Sequence, residues 1–190
     1  MSYLALDQSK SRTGWAYWRP GLDLPVFGHF TLGDEFTPFG KVFAKLHMEL
    51  SALHSTLGFE SVRYEQPADT QHFDRKTSFD VPFVLMGIAA HIDSFCAAKA
   101  HPDTRPCPIR RCDWVCAGTW RRHVIGPMKR GTGRMQLKDF VEAWCREHGM
   151  KPRNDDEADA IGILDYDLFV AGITPPWRIK QATSQLAAAR

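Results

Sequence analysis

Disulfide scaffolding is the first thing this 190-residue chain lacks the means for. Its five cysteines (Cys96, Cys107, Cys112, Cys116, Cys145) are odd in number and show no framework-like spacing, which fits reduced thiols. No run approaches the roughly 18 apolar residues of a membrane span, and the N-terminus lacks the charged-then-apolar pattern of a secretory signal. A cytoplasmic protein without a membrane partner is therefore expected. Repeats, low-complexity tracts and interdomain linkers are missing too, which leaves one domain, expected over residues 1–173 with a loosely held tail over 174–190. At 44% hydrophobic and 12% aromatic residues, the chain can build a sizeable core.

A strong global charge is also lacking, since the formal balance is only +2. The distribution is uneven, however. Nine Lys or Arg fall between Arg105 and Lys138 (105, 110, 111, 121, 122, 129, 130, 134, 138) against one acid, Asp113. Trp114, Trp120, Gly131 and Gly133 interleave these charges and offer stacking surfaces and backbone access, the pattern of a nucleic-acid contact rather than a solvated face.

What the chain does have is carboxylates in telling places. Asp7 ends Tyr-Leu-Ala-Leu-Asp, Glu65 ends Ser-Val-Arg-Tyr-Glu, and Asp156 and Asp159 lie in Asn-Asp-Asp-Glu-Ala-Asp-Ala-Ile. Hard cations such as Mg2+ take oxygen ligands, and two ions about 4 Å apart can hold the attacking and leaving oxygens of a phosphodiester displacement. The residues thus point to a nuclease. A different class, a non-catalytic zinc-dependent DNA-binding module on Cys107, Cys112, Cys116 and His123, lacks a Cys-x2-Cys knuckle.

Local pattern supplies the elements. Short strands are expected at 3–7, 15–18 and 26–32, forming a β-meander, with Gly14 permitting a tight bend. Apolar residues at steps of three and four (Phe39, Val42, Phe43, Leu46, Leu50, Leu53, Leu57) predict an amphipathic helix ended by Gly58. A strand at 61–65 stops at Gln66-Pro67, and 68–78 reads as a loop. A helix at 79–99 is apolar on more than one face, as a helix meeting both the sheet and a partner would be. A strand at 109–115, short helices at 119–125 and 135–148, and a final helix capped by Asn154 complete the chain. On that helix Asp156 and Asp159 are neighbours on one face, while Asp155 offers a competing pair with Asp159 at a spacing of four. Asp155, Asp156 and Glu157 also suit the positive end of its dipole.

The chain resembles the RuvC-type Holliday-junction resolvases of the RNase H-like superfamily. The resemblance rests on Leu-Ala-Leu-Asp7 with Ser-Arg-Thr-Gly14-Trp, on Tyr-Glu65-Gln-Pro, and on Asp156-Glu-Ala-Asp159-Ala-Ile-Gly-Ile, in order across most of the chain. It implies an α/β fold, a five-stranded mixed sheet flanked by helices, and a site in which Asp7, Glu65, Asp156 and Asp159 hold two Mg2+ or Mn2+ ions. The implied activity is cleavage of four-way junctions or other branched DNA by a homodimer, leaving 5′-phosphate and 3′-hydroxyl ends, in a bacterial cell or phage-infected host. Lys138 looks like a family lysine that approaches the scissile phosphate, with Lys129, Arg130 and Arg134 as rivals. Phe73 matches an aromatic that wedges into the junction, beside Arg75 and Lys76, and Arg121 and Arg122 extend the expected DNA contact. Departures are Gln8 and Ser9, where many members have proline and glycine, and the 126–133 loop, which looks more like phage-borne relatives. A related nuclease acting on RNA or RNA–DNA hybrid is the alternative within the same fold.

Overall fold

The structure, a computed structural model, describes residues 1–67 and 80–179. Its centre is a five-stranded sheet in the order β3-β2-β1-β4-β5, built from β1 (Tyr3–Asp7), β2 (Thr13–Trp18), β3 (Val26–Phe30), β4 (Ser61–Glu65) and β5 (Arg111–Val115). β1, β2 and β3 pair antiparallel, and β4 joins β1 and then β5 in parallel. The meander is as expected, and the strand ends move by a few residues. Among the described residues five helices of nine residues or more flank the sheet: α1 (Phe39–Leu57), α2 (Asp80–Ala98), α3 (Ala117–Ile125), α4 (Arg134–Glu147) and α5 (Asp155–Val170).

Alternation along the strands makes two cores, one on each face. Tyr3 and Ala5 of β1 face α3, α4 and α5 together with Trp120, Trp144, Ile161 and Leu164. Leu4 and Leu6 face α1 and α2, meeting Val42, Leu46, Leu50, Ile88 and Ile92. β1 is therefore buried on both sides, which is why its sequence is a continuous apolar run. The product is a three-layer α/β/α domain.

Three expectations need correction. α2 carries an 18-residue window, Val81–Ala98, with mean hydropathy 1.6, long and apolar enough by composition to cross a membrane. In the fold its Val84, Ile88, Ile92 and Phe95 close against the sheet and α1, as a core helix would, while Val81, Phe83 and Met86 stay exposed. Second, Gly14 makes no bend. It sits within β2 opposite Asp7, and its missing side chain leaves room for the N-terminal turn of α5. Third, the chain past Thr174 is not loosely held at once. Trp177 is only 1% exposed and joins the core, its indole donating to Asp165 at 2.7 Å, and the Arg178 guanidinium donates to the same carboxylate at 2.6 Å.

Candidate metal centre

Parallel pairing of β1 and β4 brings their carboxyl ends to one edge of the sheet, so Asp7 and Glu65 finish side by side. The edge is tied by Gln8, whose side-chain amide donates to the Glu65 carbonyl. Glutamine thus fastens the two strand ends at a position where proline was the expected residue. α5 starts over the same edge. Asn154 caps it by accepting the Glu157 amide at 2.9 Å, and Glu157, buried, returns a carboxylate oxygen to the Arg153 amide at 2.8 Å. This capping pair fixes the first turn. Asp156 and, one turn on, Asp159 then join Asp7 and Glu65 in lining a cleft of about 920 Å³.

The four carboxylates repel one another, and cations oppose that repulsion. Burial raises the Asp7 pKa well above its ordinary value, helped by the charges of Glu65, Asp159 and Asp156 and opposed by Arg121. Burial likewise pushes Asp159 up to about 6, against the lowering effect of Arg121. Arg121 of α3 donates to Asp159 at 2.8 Å and lies 3.7 Å from Glu65. The Trp120 indole donates to the same Glu65 oxygen at 2.8 Å. Arg12, from the β1–β2 turn, binds Asp156 and reaches Asp155 at 2.7 Å.

Asp155 itself is turned toward Lys138, which binds it directly. Burial opposes its ionisation, but Lys138 and Arg12 outweigh that and hold its pKa below the usual range. Asp156 rather than Asp155 lines the cleft. Lys138 and Arg134 line it too.

The donor types suit a hard divalent cation: four carboxylates line one cleft, and Asp159 keeps one buried oxygen without a hydrogen-bond partner among the described residues. Among those residues no three Asp, Glu, His or Cys groups surround a common point; Arg12 instead engages Asp156, and Arg121 engages Asp159 and Glu65. The zinc reading does not hold. Cys107 bonds the Phe59 carbonyl, Cys112 Asp93, Cys116 Gln66, and His123 Asp165, four separate places.

Several expected DNA contacts are also relocated. Trp120 is fully buried and offers no stacking surface, whereas Arg121 is mostly buried but lines the cleft. Arg110 pairs with Glu60 and Arg111 with Asp167, so each already has an acidic partner. Arg122 is exposed on α3, and Lys129 and Arg130 border a separate hollow on the far side of α4 with Phe140 and Trp144. Phe73, Arg75 and Lys76 lie outside the described residues.

No protein-family model matches the sequence, and no curated protein matches it significantly. Solved structures do match: RuvC of Thermus thermophilus in complex with a Holliday junction substrate superposes with a TM-score of 0.62 at 13% identity, over 90% of this chain and 95% of that one. The fold is that of RuvC. A second T. thermophilus RuvC structure gives 0.56 at 13% identity, over 93% and 99% of the two chains. The yeast mitochondrial Holliday junction resolvase Ydc2 gives 0.53 at 12%, over 95% and 80%. The RuvC-like core accounts for the sheet order and the flanking helices, and the acidic edge lies at the carboxyl ends of β1 and β4.

Arg12 and the internal roles of Trp120 and Arg121 were missed by sequence reasoning. The Arg12–Asp156 pair spans 144 residues, and no local pattern announces it.

Proposed function

We propose that this protein is a metal-dependent endonuclease that resolves four-way junctions or related branched DNA, acting as a homodimer. The observation that carries this is that Asp7, Glu65, Asp156 and Asp159 line one cleft at the carboxyl ends of β1 and β4 in a RuvC-like fold. When bound there, two Mg2+ or Mn2+ ions supply the Lewis-acid charge that lowers the pKa of a water and stabilises the leaving 3′-oxygen, giving 5′-phosphate and 3′-hydroxyl ends.

The protein's own part is orientation and charge. Asp7 and Glu65 are fixed by the strands, and Asp156 and Asp159 by a capped helix, so the ligand set is held by rigid elements. Lys138 and Arg134 stand on the cleft wall as cations for the phosphate on the cut strand. Arg122 is an exposed cation for neighbouring phosphates, and Lys129 and Arg130, beside the separate hollow, would meet phosphates farther from the cut. Phe39, Val81, Val84 and Leu85 form an apolar flank of the same cleft. For the dimer, α2 offers Phe83 and Met86, 49% and 56% exposed; two-fold pairing would set two sites for two cuts in strands of like polarity.

Labelled four-way junction, duplex, flap and RNA–DNA hybrid incubated with the protein in Mg2+ would test the substrate. Paired cuts in the junction are expected. Preferential cutting of the hybrid would instead favour the RNA-directed alternative.

A further inference from the structure

The geometry points to Arg121 as a displaceable internal cation: it pairs with Asp159 and stands beside Glu65, and a divalent ion taken up by Asp159 would compete with it there. This inference rests on the metal-nuclease reading and adds to it a competition built into the site.

Four observations support it. The Arg121 side chain is only 16% exposed, with Nη2 2.8 Å from Asp159 and 3.7 Å from Glu65, so its charge is directed inward. Its guanidinium carbon lies 4.6 Å from the centre of the Trp120 ring, and that indole donates to the Glu65 oxygen facing Arg121. Trp120 in turn sits against Gly162 of α5, where any side chain would fall 2.6 Å from the ring. One packed unit therefore links α3, α5 and β4 around a single cation. Finally, Arg121 Nε and Asp159 Oδ1 are both buried without partners among the described residues.

The last point favours a displaceable cation over a permanent structural pair. A buried guanidinium and carboxylate that were a finished ion pair would be expected to satisfy their remaining polar atoms, because each orphan raises the desolvation cost. Here each partner keeps one atom that no described protein group engages, so neither uses the other's full hydrogen-bonding capacity. A divalent ion could use both Asp159 oxygens, and the displaced guanidinium would carry its donors toward the cleft.

Mn2+ titration of the whole protein by calorimetry and electron paramagnetic resonance tests the competition without relying on cleavage. Arg121→Gln is expected to bind Mn2+ about tenfold or more tightly than wild type, whereas Arg146→Gln on the surface of α4 should leave affinity unchanged. Equal or weaker affinity in Arg121→Gln would overturn the proposal. So would an additional Mn2+ bound only by that variant, which would make Arg121 a permanent replacement for an ion. Wild-type protein gives an independent readout if the variant folds poorly. Arginine side-chain NMR should show the Arg121 Nε signal moving on Mg2+ addition while that of Arg178 stays, and an immobile Arg121 signal at saturating Mg2+ would refute the exchange. Loss of all Mn2+ binding in wild type would remove the metal site and this inference together; binding indifferent to Arg121 would remove the inference alone.

Discussion

A Cβ placed on Gly14 would fall 2.0 Å from the backbone oxygen of Asp156, so the first turn of α5 rests directly on β2. Asp7 is the register partner of Gly14 on the adjoining strand. One glycine thus sets how closely the helix carboxylates approach the strand carboxylate. Gly14→Ala should push α5 outward, destabilise the fold by about 1–3 kcal/mol and greatly reduce cleavage. Denaturant midpoints and junction assays on the same preparation check both effects.

Raised carboxylate pKa values predict an unusual pH response. A folded-state pKa above the unfolded value means the native state binds protons more tightly, so stability is greatest below about pH 4 for this group and falls as pH rises through the folded pKa. For Asp7 the shift is upward from 3.8. In Mg2+-free buffer at pH 7, Asp7→Asn should therefore melt at a higher temperature than wild type, and the difference should shrink toward pH 4. Thermal melts across that range, with matched buffers, test the sign.

Asp155 and Asp156 should part company. Asp156→Asn, like Glu65→Gln and Asp159→Asn, is expected to abolish cleavage while junction binding persists. Asp155→Asn should retain cleavage and lose about 0.5–1 kcal/mol of stability from its helix-end position and partly exposed pairing with Lys138 and Arg12. Single-turnover cleavage of the four variants decides the assignment.

Phosphate contacts reveal themselves through salt. Replacing Lys129, Arg130 and Arg134 together with alanine should flatten the dependence of junction affinity on salt concentration by roughly one unit of log–log slope per lost contact. Fluorescence anisotropy over a salt series reports it. An unchanged slope would assign these side chains to solvation.

Trp177 should behave as core. Its burial against Trp18 and its bond to Asp165 predict a loss of about 3–5 kcal/mol for Trp177→Ala, read from urea unfolding. A shift below 1 kcal/mol would return this segment to the tail.

Legibility in the sequence followed distance along the chain. Asp7 and Glu65 could be read because each ends a short apolar strand, and Asp156 and Asp159 because helical spacing puts them on one face. Arg121 could not: amid a basic stretch it reads as a phosphate contact, and only the turn from β5 into α3 shows it facing inward. Arg12 and Gln8 act across chain separations of 144 and 57 residues, beyond any local periodicity. The α2 helix shows the converse limit, since its composition does not reveal which of its apolar faces is covered.

The most direct measurement compares wild type with Asp7→Asn on a labelled four-way junction, with Mg2+ and with EDTA. Wild type should make paired cuts only in Mg2+, and Asp7→Asn should bind the junction but leave it intact under both conditions. Full Mg2+-dependent cleavage by Asp7→Asn would contradict a nuclease site built on these carboxylates.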